Sequence, residues 1–327
     1  MRITVLGTGA WGTALAMALA RHHDVSLWGR DAAFVEQLAR ERENRRYLPG
    51  HKLPSSLRIT ADIAEAALGS DLILVVTPVA GLRPTVARLR ACACAAPVVW
   101  ACKGLEAESG KLPHEVVAEV LGIDTPCGVL SGPSFAKEVA LGLPTAVTLA
   151  AADLALAKRL VQGLTDSRLR LYANDDVIGV EIGGAVKNVL AIAAGISDGI
   201  GFGLNARAAL ITRGLAEIVR LGLALGGRRE TFMGLAGIGD LILTCTGDLS
   251  RNRQVGLGLG QGKRLPDVLE GLGQVAEGVH TAMEVATLAV RLGVDMPITQ
   301  AVKAVLFDGV PARTEVELLL ARDPKVE

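Results

Sequence analysis

Aromatic residues are scarce in this chain of 327 residues: two Tyr, three Trp and five Phe. A core must therefore be built mainly from Ala, Val, Leu and Ile, and half of the sequence is hydrophobic. No sign of charge is in excess, because Lys plus Arg total 34 and Asp plus Glu total 34. That balance excludes a broad field for nucleic acid or an anionic membrane surface, so an anionic ligand must be met by a local cluster. The five cysteines, Cys92, Cys94, Cys102, Cys127 and Cys245, form no C-x-x-C pair, and most sit in apolar runs. Buried thiols in a reducing cytosol are the expectation. The histidines at 22, 23, 51, 114 and 280 show no metal-ligand spacing, and no metal site is expected. No uncharged apolar run approaches the ~18 residues that span a bilayer, so stable membrane insertion is not expected. The opening "MRITVLGTGAWGTALAMALA" has the early Arg and small residues of a signal peptide, but Gly7, Gly9 and Gly12 interrupt it. A cytoplasmic protein is expected.

What is present is alternation. Up to about Tyr172, strand-like runs ("RITVLG", "DVSLWG", "LRIT", "DLILVV", "PVVWAC", "CGVLS", "TAVTLA", "LRLYA") alternate with helical patterns such as Thr13–His22 and Ala32–Arg42. This predicts an α/β, doubly wound, mostly parallel sheet of Rossmann type over residues 1–175. After Asn174 the strands stop. Residues 176–327 read as an all-helical C-terminal domain, beginning with helices near Val177–Ile196 and Ala206–Leu225.

Open parallel sheets bind ligands beyond the carboxyl ends of their strands. The exits here are "GTGAWG", "GRD", "TP", "KGLE" and "SGPSFAKE", each suited to backbone approach or polar contact. Gly7-Thr8-Gly9-Ala10-Trp11-Gly12 fits G-x-G-x-x-G after a strand and before a helix, the context a dinucleotide site requires. Gly7 permits the turn, Gly9 lets a pyrophosphate approach, and Gly12 lets helix and strand pack. At the second exit Arg30 suits a 2′-phosphate, favouring NADP(H), while the neighbouring Asp31 can serve a ribose hydroxyl and keeps NAD(H) open. "GLGLGQGK" mimics a P-loop but has Leu257 and Arg264 where glycine and Ser/Thr belong.

In "EIGGAVKNVLAIAAG", Lys187 stands in a helix that is apolar nearly all round. Two readings are open. The stem snorkels to water, or the ammonium is buried and needs a partner or loses its proton. Gly183 and Gly184, one turn away, would leave room for a substrate beside it.

Taken together, "GTGAWGTALA", "ACKGLE", "SGPSFAKE", "EIGGAVKN", "NARAALITRG", "GLAGIGDLILT", "SRNR" and "VAEG" make the chain resemble the bacterial NAD(P)-dependent glycerol-3-phosphate dehydrogenases. The resemblance implies reversible reduction of dihydroxyacetone phosphate to sn-glycerol 3-phosphate, for glycerophospholipid biosynthesis, by a homodimer. It makes Lys187 the general acid and base, with burial adjusting its proton affinity. It gives Lys103 a second active-site role, near both nicotinamide and substrate. Asn188, Asp240 and Thr244 become active-site polar residues, with Asp240 pairing with Lys187; without the family, Asp240 reads as a helix N-cap. Ser250, Arg251 and Asn252 are implied to hold the substrate phosphate, although "SRNR" also reads as a solvated helix start. Gly132 and Ser134 are implied substrate contacts, and Trp11, Ala136, Val275 and Glu277 cofactor contacts. Arg251 and Lys103 are implied to touch cofactor as well. Two other readings stand beside this one: a reductase of the same architecture for another phosphorylated or acidic ketone, and a non-catalytic dinucleotide sensor. The latter should have lost Lys103, Lys187 and Asp240.

Overall fold

Strands of Val, Ile and Leu buried on both faces need helices on both sides of a sheet. The structure, a computed structural model, describes residues 1–92, 94–273 and 275–321. It divides into two compact units, Met1–Glu106 with Lys111–Val180, and Ala107–Gly110 with Glu181 onwards. The division falls between Val180 and Glu181, inside a helix. Residues 322–327, part of the expected second domain, lie outside the described residues.

The first unit is built on β1 (Arg2–Leu6), β2 (Asp24–Trp28), β3 (Arg58–Thr60), β4 (Leu72–Val75), β5 (Val98–Trp100), β6 (Cys127–Ser131), β7 (Thr145–Ala150) and β8 (Leu169–Asn174). Each strand lies in one of the runs expected from sequence, except that β8 continues one residue beyond "LRLYA" to Asn174. The sheet order is β3-β2-β1-β4-β5-β6-β7-β8. β1 to β6 are parallel, β7 pairs antiparallel with β6, and β8 is parallel to β7. Strand order reverses between β1 and β4, which opens a crevice beyond their carboxyl ends.

Helices α1 (Ala10–Leu19), α2 (Ala32–Glu41), α3 (Ile63–Ala67), α4 (Leu82–Ala91), α5 (Pro113–Leu121), α6 (Ala136–Ala140) and α7 (Leu154–Leu164) connect the strands. Asp31, Asp62 and Asp153 accept backbone N–H bonds as N-caps of α2, α3 and α7. In α1 every residue from Gly12 to Leu19 is buried. It begins before the expected Thr13, because Gly9, extended at φ −68° and ψ 177°, is its N-cap.

The second unit is helical: α8 (Val177–Ile200), α9 (Gly203–Ala224), α10 (Arg229–Phe232), a π-turn (Leu235–Gly239), α11 (Asp240–Thr246), α12 (Arg251–Gly260), α13 (Leu265–Leu272), α14 (Glu277–Arg291), α15 (Pro297–Phe307) and α16 (Ala312–Leu320). α8 is long and apolar enough to cross a membrane by length and composition, yet 89% of its most apolar window is buried in the protein. It also buries Glu181, Lys187 and Asn188, as a core helix with polar duties does. The glycines of "GLGLGQGK" fall in and just after α12, where Gly256 and Gly260 pack on Gly195 and Gly199 of α8. Pro297 opens α15, and the buried Glu217 of α9 caps it, accepting from Ile298 N at 2.6 Å, Thr299 N at 3.1 Å and Thr299 Oγ1 at 2.9 Å.

Candidate active site

In the first unit, the turn after β1 is constrained to glycine at two points. Gly7 has φ +133°, and a Cβ there would lie 2.5 Å from the Val76 carbonyl oxygen. A Cβ on Gly12 would lie 2.0 Å from the carbonyl oxygen of Gly7. At Gly9 a Cβ would meet nothing within 4 Å, so the backbone is open to an incoming group. α1 has no side-chain cap and no acidic residue in its first turn. Its first N–H groups and the positive end of its dipole suit a phosphate. Thr77, at the exit of β4, adds a buried hydroxyl without a hydrogen-bond partner. Its backbone nitrogen would be 3.3 Å from a Cβ on Gly7. These features fit a dinucleotide pyrophosphate.

Trp11 and Ala136 are half-buried against the apolar core of this unit. Arg30 is exposed just beyond β2. Asp31 has a structural duty, since its Oδ1 accepts from Phe34 N at 3.1 Å. At the neighbouring exits of β5 and β6, Lys103 Nζ donates to the Gly132 carbonyl at 3.4 Å, and Ser134 Oγ donates to the same oxygen at 3.0 Å. Gly132 has φ +142°, and a Cβ there would be 3.0 Å from Val147 Cα.

In the second unit Lys187 is 6% exposed, so its stem does not snorkel to water. Its ammonium pairs with the Asp240 carboxylate and donates to Thr244 Oγ1 at 2.8 Å. The Thr244 hydroxyl donates in turn to the Asp240 backbone oxygen at 2.6 Å, which leaves its lone pair for lysine. Asp240 is 1% exposed and Thr244 5%. A charge taken from water at this depth is tolerable only with an opposite charge and hydrogen bonds beside it. Asp240 is the first residue of α11, whose N-cap is Gly239, so the N-cap reading of Asp240 does not hold. The space expected beside Gly183 is also absent. A Cβ there would lie 2.4 Å from the Ala236 carbonyl oxygen, because the backbone of the π-turn fills it.

Asn188, beside Lys187, accepts from Asn252 Nδ2 at 3.0 Å, and Asn252 Oδ1 accepts from Gly278 N at 3.0 Å. This chain ties α8, α12 and α14 together. Ser250 is the N-cap of α12, its Oγ accepting from Arg253 N at 3.2 Å. Arg251 is exposed, whereas Ser250, Asn252 and Arg253 are buried, so "SRNR" is not a uniformly solvated helix start. Val275 is exposed and Glu277 opens α14. Among the described residues no group of His, Cys, Asp or Glu is placed to hold a metal ion.

A dinucleotide turn in one unit and a buried lysine–carboxylate pair in the other narrow the field, and the relatives decide it. The family model described as the NAD-dependent glycerol-3-phosphate dehydrogenase N-terminus matches residues 2–157, and its C-terminal counterpart matches residues 176–317. The chain belongs to this family. A glycerol-3-phosphate dehydrogenase named for NAD(P)+ from Dechloromonas aromatica (strain RCB) is 63% identical over 100% of this chain and 99% of its own. One from Aromatoleum aromaticum (strain DSM 19018 / LMG 30748 / EbN1) is 64% identical over the full length of both. The crystal structure of glycerol-3-phosphate dehydrogenase from Coxiella burnetii superposes with a TM-score of 0.94, at 44% identity over 98% of each chain.

Several groups in this chain carry no signal in the sequence. Asn44, 1% exposed, braces the glycine turn, its Nδ2 donating to Thr8 O at 2.9 Å and Thr13 Oγ1 at 2.7 Å. Cys245 is fully buried beside Thr244, and burial pushes its thiol up to about 12. Arg253 and Asp198 form a buried pair. Only the apolar surroundings of Asp198 could have drawn attention to it.

Proposed function

We propose that the chain reduces dihydroxyacetone phosphate to sn-glycerol 3-phosphate, reversibly, with Lys187 as the general acid. The observation that carries this reading is the buried Lys187 ammonium, held by Asp240 and Thr244. A fixed, desolvated acid is what protonation of a developing alkoxide requires.

The nicotinamide cofactor supplies the hydride. The turn from Gly7 to Gly12 and the start of α1 bind its pyrophosphate, Arg30 meets a 2′-phosphate, and Trp11, Ala136, Val275 and Glu277 contribute further contacts. NADPH is therefore the preferred reductant, with NADH accepted. Ser250, Arg251, Asn252 and the first N–H groups of α12 hold the substrate phosphate, and Arg251 also touches the cofactor. Lys103, Gly132 and Ser134 serve the substrate, and Lys103 also faces the nicotinamide. Lys187 gives its proton to the carbonyl oxygen as the ketone becomes an alcohol. In the reverse direction its neutral amine takes the hydroxyl proton. Asp240 orients the lysine and stabilises its charged form; Asn188 braces Asn252. The same reading makes the protein a cytoplasmic homodimer serving glycerophospholipid synthesis.

Steady-state oxidation of NADPH and NADH, with dihydroxyacetone phosphate set against a panel of small keto acids, tests the proposal. Turnover of the triose phosphate, faster at low NADPH than at equal NADH, is expected. Turnover of a keto acid in its place would assign the alternative reductase.

A further inference from the structure

Arg253 is an arginine that the reaction does not use, yet it is only 8% exposed. Its Nε and Nη2 both donate to Asp198 Oδ2, at 3.0 and 2.8 Å, while Nη1 donates to Asp248 Oδ1 at 2.9 Å. Arg207 of α9 closes the cluster from the other side, its Nε donating to Asp198 Oδ1 at 2.8 Å. Two guanidinium groups thus face two carboxylates, and the cluster is neutral as a whole. It has no net charge with which to attract a phosphate. Its effect must come through geometry.

That geometry links the two ends of the proposed chemistry. Asp198 stands eleven residues after Lys187 in α8, roughly three turns along and on the same face. Asp248 lies two residues before Ser250, in the loop that leads into α12. The guanidinium of Arg253 therefore fastens this loop to the helix that carries the proton donor. Beside it, α8 and α12 touch backbone to backbone: a Cβ on Gly199 would lie 2.6 Å from Leu257 O, and one on Gly260 2.4 Å from Ile196 O. A second bond, Gln254 Nε2 to Asp248 O at 2.7 Å, holds the same loop.

We infer that Arg253, through its buried pairing with Asp198, is a positioning residue that sets segment 250–252 at a fixed place relative to Lys187. It thereby favours phosphorylated over unphosphorylated ketones. The inference rests on the reading of that segment as the phosphate holder. A flexible lysine offers one ammonium where the planar fork of arginine spans two carboxylates, so Arg253→Lys keeps the charge and loses the bridge. Asp198 has Arg207 as a remaining partner in that variant.

The test compares kcat/KM on dihydroxyacetone phosphate with kcat/KM on dihydroxyacetone at saturating NADPH, with thermal melting as a check on the fold. In Arg253→Lys the phosphorylated substrate should lose roughly 10- to 100-fold, the cost of a displacement of about 1 Å or less, while the unphosphorylated one stays within about twofold. Asp248→Asn takes the charge from the arm to the loop and leaves only a neutral acceptor, at a side chain that is 97% exposed, and should shift the ratio the same way by less. Equal losses on both substrates, or an unchanged ratio in both variants, would overturn the inference. Arg251→Ala separates the two levels. If it leaves the ratio unchanged, the phosphate-holder reading fails; if it collapses the ratio while Arg253→Lys and Asp248→Asn do not, the positioning role alone fails.

Discussion

Gly195 of α8 and Gly256 of α12 face one another so closely that neither position can carry a side chain. A Cβ on Gly256 would sit 2.0 Å from the Ile192 carbonyl oxygen, and one on Gly195 2.1 Å from that of Arg253. Two effects compete in Gly256→Ala. Helix propensity favours alanine by about 1 kcal/mol. Overpacking against a backbone oxygen, which cannot rotate away, costs typically about 1–3 kcal/mol and sometimes more. We expect the clash to win, lowering the urea midpoint and raising KM for dihydroxyacetone phosphate as α12 shifts. An unchanged midpoint would show that the two helices part freely.

Glu217 gives a pH-dependent prediction. Burial holds its carboxyl above the ordinary 4.5, despite the three hydrogen bonds it accepts at the start of α15. An acid whose folded pKa is raised contributes most to stability below its unfolded value, and that contribution falls as pH rises through the folded value. Glu217→Gln abolishes the titration and turns one acceptor into a donor facing backbone N–H groups. The parent should therefore be more stable than Glu217→Gln, by an amount that shrinks as pH is raised above the ordinary 4.5 through the raised folded value. Denaturant titrations at several pH values measure it. A gap that grows with pH would reverse the sign of the burial effect.

Arg30 lies exposed beyond β2, and Asp31 beside it caps α2. Arg30→Ala should raise KM for NADPH far more than for NADH, because only NADPH carries the 2′-phosphate. A charge-assisted contact of this kind contributes on the order of 1.5–3 kcal/mol. Equal changes for both cofactors would assign Arg30 to adenine stacking or to structure, and would remove the preference for NADP.

The inner strands β1, β2, β4, β5, β6 and β7 were legible because burial on both faces writes them as short apolar runs, whereas the edge strands β3 and β8 are partly exposed and show in the sequence as shorter or alternating patterns. The glycine turn was legible for a related reason, since Gly7 and Gly12 answer to backbone clashes that no other residue relieves. Helix α1 begins at Ala10, earlier than its apolar spacing suggests, because its glycines blur helical periodicity at the N-terminal end. Asn44 and Arg253 were invisible: each acts on backbone or side chains far away in sequence, and neither spacing nor composition records such pairings. Gly183 misled for the same reason. A glycine in a buried helix marks close approach without saying what approaches, and here it is the π-turn before Asp240.

If the buried Lys187 ammonium supplies the reaction's proton, single-turnover reduction of dihydroxyacetone phosphate by Lys187→Ala at saturating NADPH must be slow. Asp240 would lose its cationic partner in that variant, so melting temperature and NADPH affinity are measured on the same sample. The expected result is a folded protein that binds NADPH normally and reduces the ketone at least about 10²- to 10⁴-fold more slowly than the parent. A folded, NADPH-binding Lys187→Ala protein with a near-parental rate would contradict it, leaving Lys187 as the buried counter-ion of Asp240 and nothing more.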